Sequence, residues 1–256
     1  MRNALIATTS LLGATLLSGC VIVVGDDDAK LHYGAETRHD GYLVLDRNGD
    51  FSRIGGDIDL RGQLGGDLNL VSGDVTTDDL QVGGGVSIAA GDVDFSGRVA
   101  EDVSIAGGDV NFTAIGEEDV DIAAGDLFVS GRVGRDGSFA AGEMLIEAAI
   151  GRDLNAHADH MIIRSTVDGE VELVAAKEIR RRRRDDPEHG LIVMGGDFRE
   201  GGDVCGITIE FEPGASIGAP MTVWAESQPN LSGVRGSSNI SYIPRDGVDC
   251  DELIEG

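Results

Sequence analysis

Between residues 54 and 173 the chain repeats one short phrase: an acidic residue, then an apolar, a polar and an apolar one. It reads Asp57-Ile58-Asp59-Leu60, Asp92-Val93-Asp94-Phe95, Asp109-Val110-Asn111-Phe112 and Asp126-Leu127-Phe128-Val129, and continues as Glu143-Met144-Leu145-Ile146 and His160-Met161-Ile162-Ile163. The starts lie 17 residues apart, with one step of 18 between Asp74 and Asp92. A second series, opening at Asp67, Gly85, Asp102, Asp119, Asp136, Asp153 and Glu170, is interleaved with the first and keeps its period. Apolar residues at spacing two predict strands, and no window carries the spacing of an amphipathic helix. A fixed period this short predicts a solenoid.

Each phrase turns two side chains inward and one outward. A third inward position follows at Leu64, Val82, Val99, Ile115, Val133, Ile150 and Val167, with Ile115 out of register by one residue. Three short sides per turn predict an all-β chain: a single parallel β-helix with triangular coils of 17 residues and terminal caps. The general rule for parallel connections makes it right-handed. The corner acids Asp57, Asp74, Asp92, Asp109 and Asp126 are expected to accept backbone N–H groups at the turns. Divalent cations bridging these columns are a secondary expectation.

On the first face the outward residues run Asp59, Thr76, Asp94, Asn111, then Phe128, Leu145 and Ile162. The column turns apolar for three coils, whereas the second face stays polar from Asn69 through Ser104 to Glu172. Phe128, Leu145 and Ile162 are therefore a candidate interaction stripe, since soluble monomers seldom leave such a patch bare. The alternative cover is the chain's own C-terminal segment.

The period assigns residues 54–176 to the repeats and residues 31–53 to an N-terminal cap. Residues 177–228 hold an irregular loop, the last coils and a C-terminal cap, and residues 229–256 are expected as a surface tail. The loop carries Arg180, Arg181, Arg182, Arg183 and Arg184 in a chain of net charge −26. This run is a candidate contact for an anionic surface, such as lipid headgroups or an acidic neighbour; the alternative is a solvated loop that neutralises nearby carboxylates.

Met1-Arg2-Asn3 is a short basic start, Ala4 to Leu17 is an apolar run, and Leu17-Ser18-Gly19-Cys20 follows. A run of 14 residues has the length of a signal peptide and is short for a span. The tetrad resembles the lipobox of bacterial lipoproteins. That resemblance implies a signal peptide at residues 1–19, a lipidated Cys20 at the head of a tether over residues 20–30, and a membrane partner reached through acyl chains. Val21 stands where inner-membrane retention typically has Asp, so the implied address is the outer membrane, facing the periplasm. An ordinary cleaved signal with an incidental Cys is the alternative.

Cys205 and Cys250 then remain as a pair for a disulfide in an oxidising compartment, against two free buried thiols as the alternative. The acidic balance excludes nucleic acid as a partner, because phosphate binding needs a basic face. An aromatic content of 4% argues against a deep sugar-binding cleft.

Little in the chain carries chemistry. There is no phosphate loop with its Lys, no nucleophile elbow and no cysteine pair at metal spacing. His157-Ala158-Asp159-His160 is the one metal-like cluster, and His160 stands in a column otherwise held by acids. A non-catalytic protein without cofactor or metal is expected.

Gly97-Arg98-Val99-Ala100-Glu101-Asp102-Val103-Ser104-Ile105-Ala106-Gly107-Gly108-Asp109 and Gly131-Arg132-Val133-Gly134-Arg135-Asp136 resemble the repeats of bactofilins, the polymer-forming β-helix proteins, over residues 54–176. A bacterial adhesin-like β-solenoid family is a comparable match. The first resemblance implies self-association and scaffolding without nucleotide; the second implies a surface adhesin or a polysaccharide-binding module.

Overall fold

Val110 of one coil pairs with Val93 below it and Leu127 above it, and the residues around them follow in the same parallel register. The computed structural model describes residues 37–39, 41–175 and 190–254, all within one unit, His32–Gly256. They form a parallel β-solenoid of about 11 turns with coils of about 17 residues. Each repeat of the acidic phrase thus becomes one rung, because a parallel ladder places residue equivalents about 4.8 Å apart.

Inward positions stack into columns of like residues. Val93, Val110, Leu127, Met144, Met161, Ile192 and Ile209 make one; Phe95, Phe112, Val129, Ile146, Ile163, Met194 and Phe211 make another, all buried. The rings of Phe95 and Phe112 stack with centroids 5.7 Å apart. Each such side chain contributes about 2 kcal/mol through burial. That is why a repeat of apolar pairs can close on itself without helices.

One corner departs from strict repetition. Gly62, Gly97 and Gly131 adopt positive φ, while Leu80 and Ala114 in the alternate coils point inward and are buried. A Cβ on Gly97 would overlap the Leu80 carbonyl, so only glycine closes that turn. This alternation corrects the expectation for Ile115. Ala114 fills the interior of its coil and Gly116 takes the position of Val99 and Val133, leaving Ile115 part-exposed between Arg98 and Arg132. A Cβ on Gly116 would press on Val120, so the corner has no room for a larger inward residue there.

The single 18-residue step is a bulge. Register shifts between Thr76 and Leu80, with Asp79 at φ 47°. Buried Thr77 holds it by donating to the Ser96 carbonyl and accepting from the Ser96 N–H, both at 2.8 Å. The extra residue is absorbed locally and the columns resume.

The coils extend beyond both expected ends. Leu43 pairs with Leu60 and Phe51 with Leu68, so Tyr42–Arg47 and Phe51–Ile54 already form a coil where residues 31–53 were expected as a cap. Leu43 and Leu60 keep the 17-residue period, and Asp50, one period before Asp67, opens the second strand of the earlier coil and accepts the Asp67 N–H at 3.0 Å. Thr37–His39 pairs with Tyr42–Arg47 in the one antiparallel pairing among the described residues and covers that edge. At the other end Ile240–Pro244, expected in a surface tail, adds a parallel strand to Met221–Ala225.

Candidate functional site

The outward column of the first face is assembled by rung pairing alone. Phe128 lies beside Leu145, Leu145 beside Ile162, and Ile162 beside Val193. All four are part-exposed, while their sequence neighbours Leu127, Val129, Met144, Ile146, Met161, Ile163, Ile192 and Met194 are buried. The stripe is therefore four rungs long. Val193 escapes a reading by period because His160 pairs with Leu191, 31 residues on; the returning phrase Leu191-Ile192-Val193-Met194 is the signal that would have placed it.

Leu191 precedes Val193, but two residues before Phe128, Leu145 and Ile162 stand Asp126, Glu143 and His160, a corner column that Asp109 continues one rung earlier. With Asp92 and Asp94 these groups line a shallow groove of about 540 Å³ that runs over Phe128, Leu145 and Ile162. One wall is apolar and the other anionic. On the far flank Arg164 is paired with Glu212, Nη2 to Oε1 at 2.8 Å.

The corner carboxylates divide into two kinds. Asp57, Asp74 and Asp92 each accept the backbone N–H of the acidic residue one coil on, at 3.2, 3.2 and 3.3 Å. In the second column Asp102, Asp119, Asp136 and Asp153 do the same, to Asp119, Asp136, Asp153 and Glu170. Along the groove the pattern changes: the N–H groups of Asp126 and Glu143 donate to the carbonyls of Gly108 and Gly125. The expected capping role therefore holds for Asp57, Asp74 and Asp92 and fails for Asp109 and Asp126. Their side chains, and that of Glu143, carry no hydrogen bond among the described residues.

In the second column Arg152 holds the Asp136 carboxyl below the ordinary carboxylate range, with Nε donating to Oδ1 at 2.6 Å. Asp121 on the second face is pushed up, first by burial and then by Asp119, Asp102 and Asp136 around it.

Cys205 and Cys250 form a disulfide with Cα atoms 5.7 Å apart. The bond staples the helix Cys250–Ile254 over an outward column of the second face, Val174, Cys205 and Trp224, against which Leu253 and Ile254 pack. The polar column through Asn69, Ser104 and Glu172 thus has an apolar neighbour that the pattern of single phrases did not reveal. The C-terminal helix covers this column, on the second face, rather than the column of Phe128, Leu145 and Ile162.

Cys20 and Arg180–Arg184 lie outside the described residues. Among the described residues no group of three or more His, Cys, Asp or Glu is placed to hold a metal ion, and no helix is long and apolar enough to cross a membrane. The chain matches no protein-family model, no curated protein and no solved structure.

Proposed function

We propose that this chain is a non-catalytic envelope lipoprotein, anchored through Cys20, whose solenoid serves as a scaffold or assembly module. The observation that carries the reading is the in-register stripe of Phe128, Leu145, Ile162 and Val193. It presents apolar groups at rung spacing on a rigid face, beside carboxylates that the fold does not use. Rung pairing fixes the position of every group in that surface, which suits recognition of a folded partner. The lipobox-like tetrad Leu17-Ser18-Gly19-Cys20 supports the anchor and its periplasm-facing address.

The test uses the full chain in detergent micelles, with Phe128→Ser, Leu145→Ser and Ile162→Ser combined. A scaffold gives concentration-dependent oligomers or a stable envelope complex that this variant loses while its melting temperature barely changes. A large drop in melting temperature with assembly unaffected rejects the reading. The groove favours a second reading, a surface adhesin or polysaccharide-binding module. That reading predicts a monomer at all concentrations that retains an envelope polysaccharide on a column.

A further inference from the structure

The two outward apolar columns of this solenoid meet different fates. Val174, Cys205 and Trp224 are roofed by the chain's own helix, and Val174 and Cys205 fall to 3% and 0% exposure. Phe128, Leu145, Ile162 and Val193 stay part-exposed over a longer run. The roofed column has Glu172, Asp203 and Thr222 at its side, whereas the open one has Asp126 and Glu143 beside Phe128 and Leu145, and the acid column runs on through Asp109 and Asp92 in the same groove.

From this geometry we infer that the first-face groove is a docking site for a basic amphipathic segment of a partner protein, with apolar side chains seated on the stripe and Lys or Arg against the acid column. Charge complementarity decides the occupant. An apolar segment without cations leaves Asp109, Asp126 and Glu143 facing an apolar neighbour, which is unfavourable for any carboxylate losing water. A purely cationic one leaves the stripe wet. The chain's charge of −26 steers such a segment toward the solenoid, and the stripe supplies the contact that holds it. Four rungs span three steps of about 4.8 Å, or about 14 Å. A helix covers that in about ten residues, and its apolar face fits a groove of this kind.

The inference rests on the scaffold reading for its biology, yet it is tested without it. Isothermal titration of the full chain uses a synthetic peptide of about twelve residues with Leu and Lys on opposite helix faces. A dissociation constant on the order of 10 μM is expected. Phe128→Ser, Leu145→Ser and Ile162→Ser together weaken it at least tenfold. Asp109→Asn, Asp126→Asn and Glu143→Gln together weaken it and flatten its salt dependence. The charge-matched set Asp121→Asn, Glu172→Gln and Asp203→Asn on the second face leaves it unchanged.

Equal weakening by both acidic sets overturns the site in favour of general attraction to a polyanion. So does equal binding of a peptide with Ser in place of every Leu. A tenfold gain in affinity when Arg180 to Arg184 are all replaced by Gln overturns the inference in another way, because the groove then belongs to this chain's own basic run. Failure of the scaffold reading shows elsewhere, as a full chain that forms neither oligomers nor an envelope complex while still binding the peptide.

Discussion

Glu170 donates its backbone N–H to Oδ1 of Asp153, one coil below, at 2.9 Å. The bond fixes a corner whose N–H would otherwise face outward without a protein partner, so along Asp102, Asp119, Asp136 and Asp153 the acid that opens one phrase is also the clasp for the next. Asp126 occupies the equivalent place in the first column and has no such bond, because the Glu143 N–H goes to the Gly125 carbonyl.

The two aspartates should therefore respond differently to truncation. Asp153→Ala is expected to lower stability by about 1–2 kcal/mol, the usual cost of losing a charge-assisted bond. Asp126→Ala should stay within about 0.5 kcal/mol. Thermal or urea unfolding of both variants measures the contrast, and equal losses would show that the Asp153 bond is no clasp.

The alternating corner gives a second comparison. Gly97→Ala forces a side chain into positive φ and against the Leu80 carbonyl, and should cost about 2–4 kcal/mol. Gly49 has open space around its Cβ position and an ordinary φ, so Gly49→Ala should be nearly neutral. Comparable unfolding midpoints for the two variants would contradict the corner geometry.

Two carboxyls make opposite demands on pH. Asp136 is held low by Arg152, so its contribution is present above the unfolded carboxylate value near 3.9 and fades as pH falls through its lower folded value. Arg152→Gln should depress the melting temperature at neutral pH and match the parent in strong acid. Asp121 is raised, chiefly by burial, so its ionisation opposes folding as pH climbs past the unfolded value. Asp121→Asn should stabilise at neutral pH, with the gain shrinking on acidification. Melting curves across the acid range separate the two signs.

The disulfide closes a 45-residue separation, and its loss in Cys250→Ser should cost about 4 kcal/mol on the chain-entropy estimate, felt mainly at the C-terminal end. Trp224 is the chain's single tryptophan and stacks beside Cys205, so it reports on this event directly. Reduction is expected to change its emission and to open the chain to proteolysis beyond about residue 190, while the coils before Ala175 stay protected. Uniform digestion along the solenoid would show that the staple supports the whole fold.

What could be read in advance depended on whether a residue's role lay within one phrase or between phrases. Val93, Val110 and Leu127 declare themselves, because alternation and a steady period both point inward. Phe128, Leu145 and Ile162 were legible for the same reason, as apolar residues in the wrong half of the alternation. Ile115 was misplaced because Gly116 fills the inward slot, and a glycine gives no apolar signal there. Val193 was hidden by a break in the period. Val174, Cys205 and Trp224 look like the ends of separate strands, and only the rung pairing with the helix Cys250–Ile254 makes them one covered surface. The Cys205–Cys250 pairing could be suspected from arithmetic; that it closes a roof could not.

The two columns of corner acids have a consequence for how the molecule meets its solvent. Rungs spaced about 4.8 Å apart, each bearing up to two corner carboxylates, set at most one negative charge per about 2.4 Å along the axis, approaching the 1.7 Å of double-stranded DNA. At that linear density small cations condense onto a rod rather than remain a diffuse cloud. The solenoid should therefore carry its own counterion sheath, released in a burst whenever a polycation settles on it, with an entropy gain that fades as the surrounding salt rises.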